Sequence, residues 1–153
     1  MCYFTFKNDF QIKEKGASME VGSWIWKLSY IIHVISNAIS IGLFFVFTFA
    51  KEEMLKEEIS KRFLKVAGIF ITGTGLTGIL LLSILSMTGM DDLTANPIGQ
   101  SILVMILGYI VVLFVYSLAL IYKGGEERLY RKFFGIMFYI YLAVYIIRVY
   151  LNN

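Results

Sequence analysis

Four long apolar stretches separated by short polar ones organise the chain. They run from Trp24 to Ala50, Phe63 to Met87, Ile98 to Tyr122 and about Lys132 to Leu151. A helix rising 1.5 Å per residue needs roughly 20 apolar residues to cross a hydrocarbon core, and each stretch has that length. The pattern therefore predicts an all-α, integral membrane four-helix bundle with spans at about 24–50, 63–87, 98–122 and 132–151. KEEMLKEEISKR (51–62) is charged and extends the helices beyond the membrane as a short amphipathic connection, and TGMDDLTANP (88–97) reads as a turn-rich loop, with Pro97 suited to the first turn of the third helix. In KGGEERLYRK (123–132), Gly124 and Gly125 supply a stop signal.

Residues 1–23 follow a different pattern, mixed, charged and aromatic without a helical period. They lack the basic start, short apolar core and small-residue cleavage site of a signal peptide. They read as an N-terminal extension or an interfacial segment held by Tyr3, Phe4, Phe6 and Phe10, with Met19 an alternative start. Residues 24–153 form the four-helix transmembrane domain, with no room for a second one.

Composition sharpens this reading. Of 153 residues, 58% are hydrophobic and 16% charged, and mean hydropathy is +0.73. A soluble fold of this size cannot hide so much apolar surface, so the lipid bilayer is the first partner. The basic residues cluster: Lys51, Lys56, Lys61, Arg62 and Lys65 follow the first span, and Lys123, Arg128, Arg131 and Lys132 follow the third. The middle loop carries only Asp91 and Asp92. By the positive-inside rule the basic loops face the cytoplasm and both termini face out, as in the plasma (inner) membrane of a prokaryote. Lys7, Lys13, Lys15 and Lys27 on the outer side work against that assignment without reversing it. No basic stripe interleaved with aromatics is present, which argues against a nucleic-acid partner. Cys2 is the only cysteine of the chain, so it has neither an intrachain disulfide nor a cysteine metal cage.

Polar residues at membrane depth carry the candidate chemistry, because each costs free energy unless satisfied. Ser29, His33, Ser36, Asn37 and Ser40 share one face of the first helix, a stripe that must meet other helices or a cavity. Two readings of His33, the sole histidine, stand side by side. It is an axial ligand to haem iron or another metal, its second ring nitrogen held by Ser29, Ser36 or Asn37. Alternatively, His33 and Asn37 are hydrogen-bonding glue between helices.

The second helix is rich in small residues (Gly68, Thr72, Gly73, Thr74, Gly75, Thr77, Gly78), which serve close packing or leave room for a flat cofactor. Met105, on one face of the third helix with Ser101 and Gly108, is a packing residue or a thioether metal ligand. Arg148 in the fourth helix snorkels to headgroups, pairs with Asp91 or Asp92, or meets the carboxylates of a ligand. Tyr139, Tyr141, Tyr145 and Tyr150 read mostly as belt residues. There is no Ser–His–Asp set, no phosphate loop, no HExxH and no carboxylate inside any span, so a proton pump with a buried acidic relay is unsupported.

The stretch HVISNAISIG, with His33 nine positions before Gly42, together with Arg62-Phe63 and Thr72-Gly73 (or Thr77-Gly78), resembles the first half of small membrane proteins related to copper-resistance protein D. That group includes the J-type protoporphyrinogen oxidases. The resemblance covers roughly residues 24–85 and implies a four-helix bundle holding haem b or a porphyrin, with His33 as the ligand. Many of those relatives carry a lysine in the third helix, whereas here Gly99 is followed by QSILVMILGY, with no basic residue before Lys123.

Two functions follow as expectations. One is a haem- or porphyrin-binding protein for electron transfer or porphyrin handling. Its iron is five-coordinate, takes Met105 as a sixth ligand, or is shared by the His33 residues of a homodimer, and Arg148 and Lys27 pair with the propionates. The other is a non-catalytic accessory subunit packed against a larger, respiratory-type membrane complex.

Overall fold

The computed structural model describes residues 22–87, 94, 96–124 and 126–151, the Glu52 side chain excepted. The chain forms α1 (Trp24–Phe49), a short 3-10 turn (Glu52–Leu55), α2 (Glu57–Met87), α3 (Pro97–Ile121) and α4 (Glu127–Leu151). All four long helices are long and apolar enough to cross a membrane. With no strand among the described residues, the protein is an all-α bundle and a small integral membrane protein. The N-terminal segment 1–21, with Cys2 and Met19, and the loop carboxylates Asp91 and Asp92 lie outside the described residues.

The apolar runs locate the helices, and local chemistry sets their ends. Ser23 accepts a hydrogen bond from Trp26 N at 3.3 Å and starts α1. Asn96 does the same for α3 through Gly99 N at 2.7 Å, with Pro97 in the first turn. Two helices begin earlier than hydropathy alone predicts: α2 starts at Glu57 rather than 63, and α4 at Glu127 rather than 132. Acidic residues favour a helix N-terminus, and Glu57–Lys61 and Glu58–Arg62 add i,i+4 pairs along the protruding first turns of α2. Arg131 Nη2 donates to Ala50 O at 3.0 Å, joining α4 to the C-terminal end of α1.

The helices run up and down, and α1 packs against both α2 and α4, while α4 also packs against α3. The seam between α2 and α3 is the sparsest of the four. At the end that carries the 3-10 turn and the α3–α4 connection, called here the basic end, the interior is solid. Phe44, Phe47, Leu64, Tyr130, Phe134 and Met137 are all at most 1% exposed. Phe47 sits 4.8 Å from the Phe134 ring and 4.4 Å from Phe63. The outer faces, by contrast, present Ile69, Leu76, Phe114 and Ile121 in the open, as a surface meant for acyl chains does.

Candidate functional site

The small residues of α2 resolve into a set of notches. A methyl group at Gly68 would collide with the Tyr116 hydroxyl, and one at Gly75 with that of Tyr109. Both phenols use the space to donate to the α2 backbone, Tyr116 to Leu64 O at 3.1 Å and Tyr109 to Ile71 O at 3.0 Å. In each case the accepting carbonyl lies four residues before the glycine. His33 repeats the arrangement from the α1 side. A methyl at Gly78 would lie 3.4 Å from His33 Cε1, and His33 Nδ1 is 3.1 Å from Thr74 O, again four residues earlier. A methyl at Gly73 would lie 3.1 Å from Ser36 Oγ. The glycines thus admit polar side chains that tie neighbouring helices to carbonyls of α2.

This bonding fixes the imidazole. Nδ1 lies 3.0 Å from Thr77 Oγ1 as well as 3.1 Å from Thr74 O. The Thr77 hydroxyl donates its own proton to backbone, to Gly73 O at 2.6 Å or Thr74 O at 3.2 Å. Facing two acceptors, Nδ1 of the neutral ring carries the proton, and the lone pair is on Nε2. The nitrogen is held from α2 rather than by Ser29, Ser36 or Asn37 of its own helix. Asn37 Nδ2 donates instead to His33 O at 2.9 Å, within α1.

His33 forms part of the wall of a cavity of about 450 Å³ in the half of the bundle away from the basic end. That volume falls in the ordinary range of cofactor and ligand sites, about 300–1,000 Å³. All four helices contribute: Trp26, Tyr30 and Asn37 from α1, Thr74 and Gly78 from α2, Met105 and Tyr109 from α3, Tyr145 and Arg148 from α4. Most of the lining surface is apolar. Its polar lining residues include His33, Asn37, Thr74, Trp26 and Arg148, and Trp26 Nε1 and Thr74 Oγ1 are buried without a hydrogen-bond partner among the described residues.

Of the residues singled out from sequence, the cavity brings together His33, Asn37, Met105 and Arg148. Ser29 and Ser36 are buried at 6% and 5% exposure but lie in helix seams outside the cavity lining, and Lys27 is exposed on the outer surface. Gly42, the glycine of the first-helix resemblance, faces open space. The tyrosines of α4 divide. Tyr150, Tyr139 and Tyr145 are exposed, whereas Tyr141 is buried with its ring 5.9 Å from Phe44 and its hydroxyl beside Ser40, short of full hydrogen-bond geometry. Sequence reading missed the roles of Trp26, Thr77, Tyr109 and Tyr116. The available signal was the seven-residue spacing of Tyr109 and Tyr116 against the same spacing of Gly75 and Gly68.

Among the described residues no group of three or more His, Cys, Asp or Glu side chains could hold a metal ion, and the described cavity lining offers one imidazole, His33, and one thioether, Met105. Compared with known proteins, the chain matches no family model, no curated protein and no solved structure.

Proposed function

We propose that this membrane protein binds haem b or a related porphyrin in the cavity, with His33 Nε2 as axial ligand, for electron transfer or porphyrin handling. The observation that carries the reading is the state of the imidazole. Its Nδ1–H is committed to Thr74 O and Thr77 Oγ1, and its other nitrogen belongs to a residue lining an apolar cavity. Metal-bound histidines are ordinarily oriented in this way, by a carbonyl or hydroxyl on the far nitrogen. One histidine is enough for haem, unlike a structural zinc site. A bound haem would supply one-electron chemistry. The chain's own residues would orient the ring through His33 and surround it with mostly apolar side chains, among them Met105 of α3. Of the two cations considered for propionates, Arg148 is at the cavity and Lys27 is not.

A second reading has its own support. The His33–Gly78–Thr74 arrangement is copied by Tyr109–Gly75–Ile71 and Tyr116–Gly68–Leu64, where the side chain only locks helices. On that reading the bundle is an accessory subunit of a larger membrane complex, and His33 is one of three locks.

An absorption spectrum separates the two. The protein purified from haem-replete cells should show a Soret band that His33→Ala abolishes or shifts. A wild type without the band, or a variant that keeps it unchanged, removes His33 as the ligand.

A further inference from the structure

Among the described residues the cavity lining carries a single charged side chain. Arg148 is the only Lys, Arg, Asp or Glu of that described lining, and it makes no ion pair or hydrogen bond among the described residues. Its placement follows the inward stripe of α4: Phe134, Met137, Tyr141, Val144 and Arg148 recur at intervals of three and four. Ile146, Ile147, Val149 and Tyr150 beside it are exposed. An arginine meant only to reach headgroups belongs on the lipid side of a helix end. This one is on the inner side, where a lone cation in an apolar wall calls for a counter-charge.

Two further lining residues carry a buried polar group without a partner among the described residues. Trp26 Nε1 is buried without a partner, and Trp26 is the third residue of α1, at the same end of the bundle as Arg148. Thr74, 6% exposed and with Oγ1 unpartnered, lies deeper beside His33. One guanidinium with no second cation in the described lining matches one carboxylate group at a time better than a phosphate dianion.

We infer that the cavity takes an amphipathic carboxylate, its acid group on Arg148 and the Trp26 N–H, and its apolar body directed inward toward His33 and Thr74. The inference rests on the cavity being a ligand site, as proposed above, and is independent of iron. An acyl-chain acid and a flat ring acid share this chemistry, so two probe pairs are used. One is a dansyl-labelled undecanoic acid and its methyl ester; the other is metal-free protoporphyrin and its dimethyl ester.

Binding to the full chain in nanodiscs is followed by probe fluorescence. In at least one pair the acid should bind about tenfold more tightly than the ester. Arg148→Gln should erase that preference and Arg148→Lys should restore part of it. Trp26→Phe, which keeps the ring but removes the donor, should reduce it. A preference in the acyl pair identifies an acyl lipid acid, and one in the porphyrin pair alone identifies a flat ring. Equal binding of acid and ester in both pairs overturns the inference, as does a preference that survives Arg148→Gln. Because neither probe contains iron, loss of the Soret band in the haem experiment and loss of acid preference here are separate failures.

Discussion

The two halves of the bundle are built from the same helices in the same register, yet one is solid and the other hollow. Toward the basic end the inward positions are Phe44, Phe47, Leu64, Tyr130 and Phe134, and they leave almost no exposed area. Toward the other end the inward positions become His33, Gly78, Val144 and Arg148, and the helices leave a partly open cavity of about 450 Å³. In α3 the contrast is visible within one helix. Val112, Val115 and Ala119 form a buried stripe, whereas every residue from Ile102 to Ile106 is only half-buried. Five successive helical residues point in all directions, so that stretch has open space on its inner side as well as lipid outside. Inward side-chain volume, more than helix placement, divides a stabilising half from one shaped to receive something.

The largest expected effect tests this division directly. Phe134→Ala removes a side chain that is 1% exposed and packs its ring, tilted, against Phe44 and Phe47, and should cost about 3–5 kcal/mol. Leu82→Ala truncates a half-buried residue on the cavity wall and should cost less than about 1 kcal/mol, since that space is already open. Unfolding of both variants in detergent micelles gives the comparison. Equal losses would mean that the second half is as tightly packed as the first.

The notches supply the next effect. Gly75→Ala places a methyl group against the Tyr109 hydroxyl and should destabilise by about 1–3 kcal/mol. Gly42→Ala meets nothing and should be neutral, or stabilising by up to about 1 kcal/mol from helix propensity. Adding Tyr109→Phe to Gly75→Ala should recover part of the loss by removing the clashing oxygen. Strict additivity of the two changes, measured as a thermodynamic cycle, would show that the phenol and the glycine do not share that space.

Hydropathy alone made the four spans legible, because bilayer thickness imposes a length that few other constraints imitate. Hydropathy has no signal where charged first turns protrude beyond the apolar run, so the early start of α4 was not legible, whereas the charged stretch 51–62 already pointed to helix extended beyond the membrane ahead of residue 63. The polar stripe of α1 was also legible: Ser29, Ser36, Asn37 and Ser40 are all buried. Which helix would satisfy it was not legible, because Thr74 O is a backbone atom that every sequence possesses. Tyr109 and Tyr116 were hidden in a helix of high mean hydropathy, where an aromatic residue ordinarily reads as packing. The void itself is a sum over side chains from four helices, and no window along one segment displays it.

The smallest expected effect bears on His33, the residue shared by the cavity and the helix seam. Thr77→Val keeps shape and volume while removing one of the two acceptors of Nδ1–H, leaving Thr74 O in place. Hydrogen bonds between membrane helices are worth on average about 0.6 kcal/mol, so the loss of stability should be of that order. The effect on a ligand should be larger in proportion. Partners on the far nitrogen of a metal-bound histidine orient the ring and raise its basicity, and their removal typically lowers metal affinity by about 10- to 100-fold. With the carbonyl still bonded, retention of haem during purification should fall toward the lower end of that range. The two readouts answer different questions about the same atom. A small drop in stability with an unmoved spectrum makes the imidazole a lock like Tyr109 and Tyr116. A drop in haem retention makes the Thr77 hydroxyl part of the support for a ligand-bearing His33.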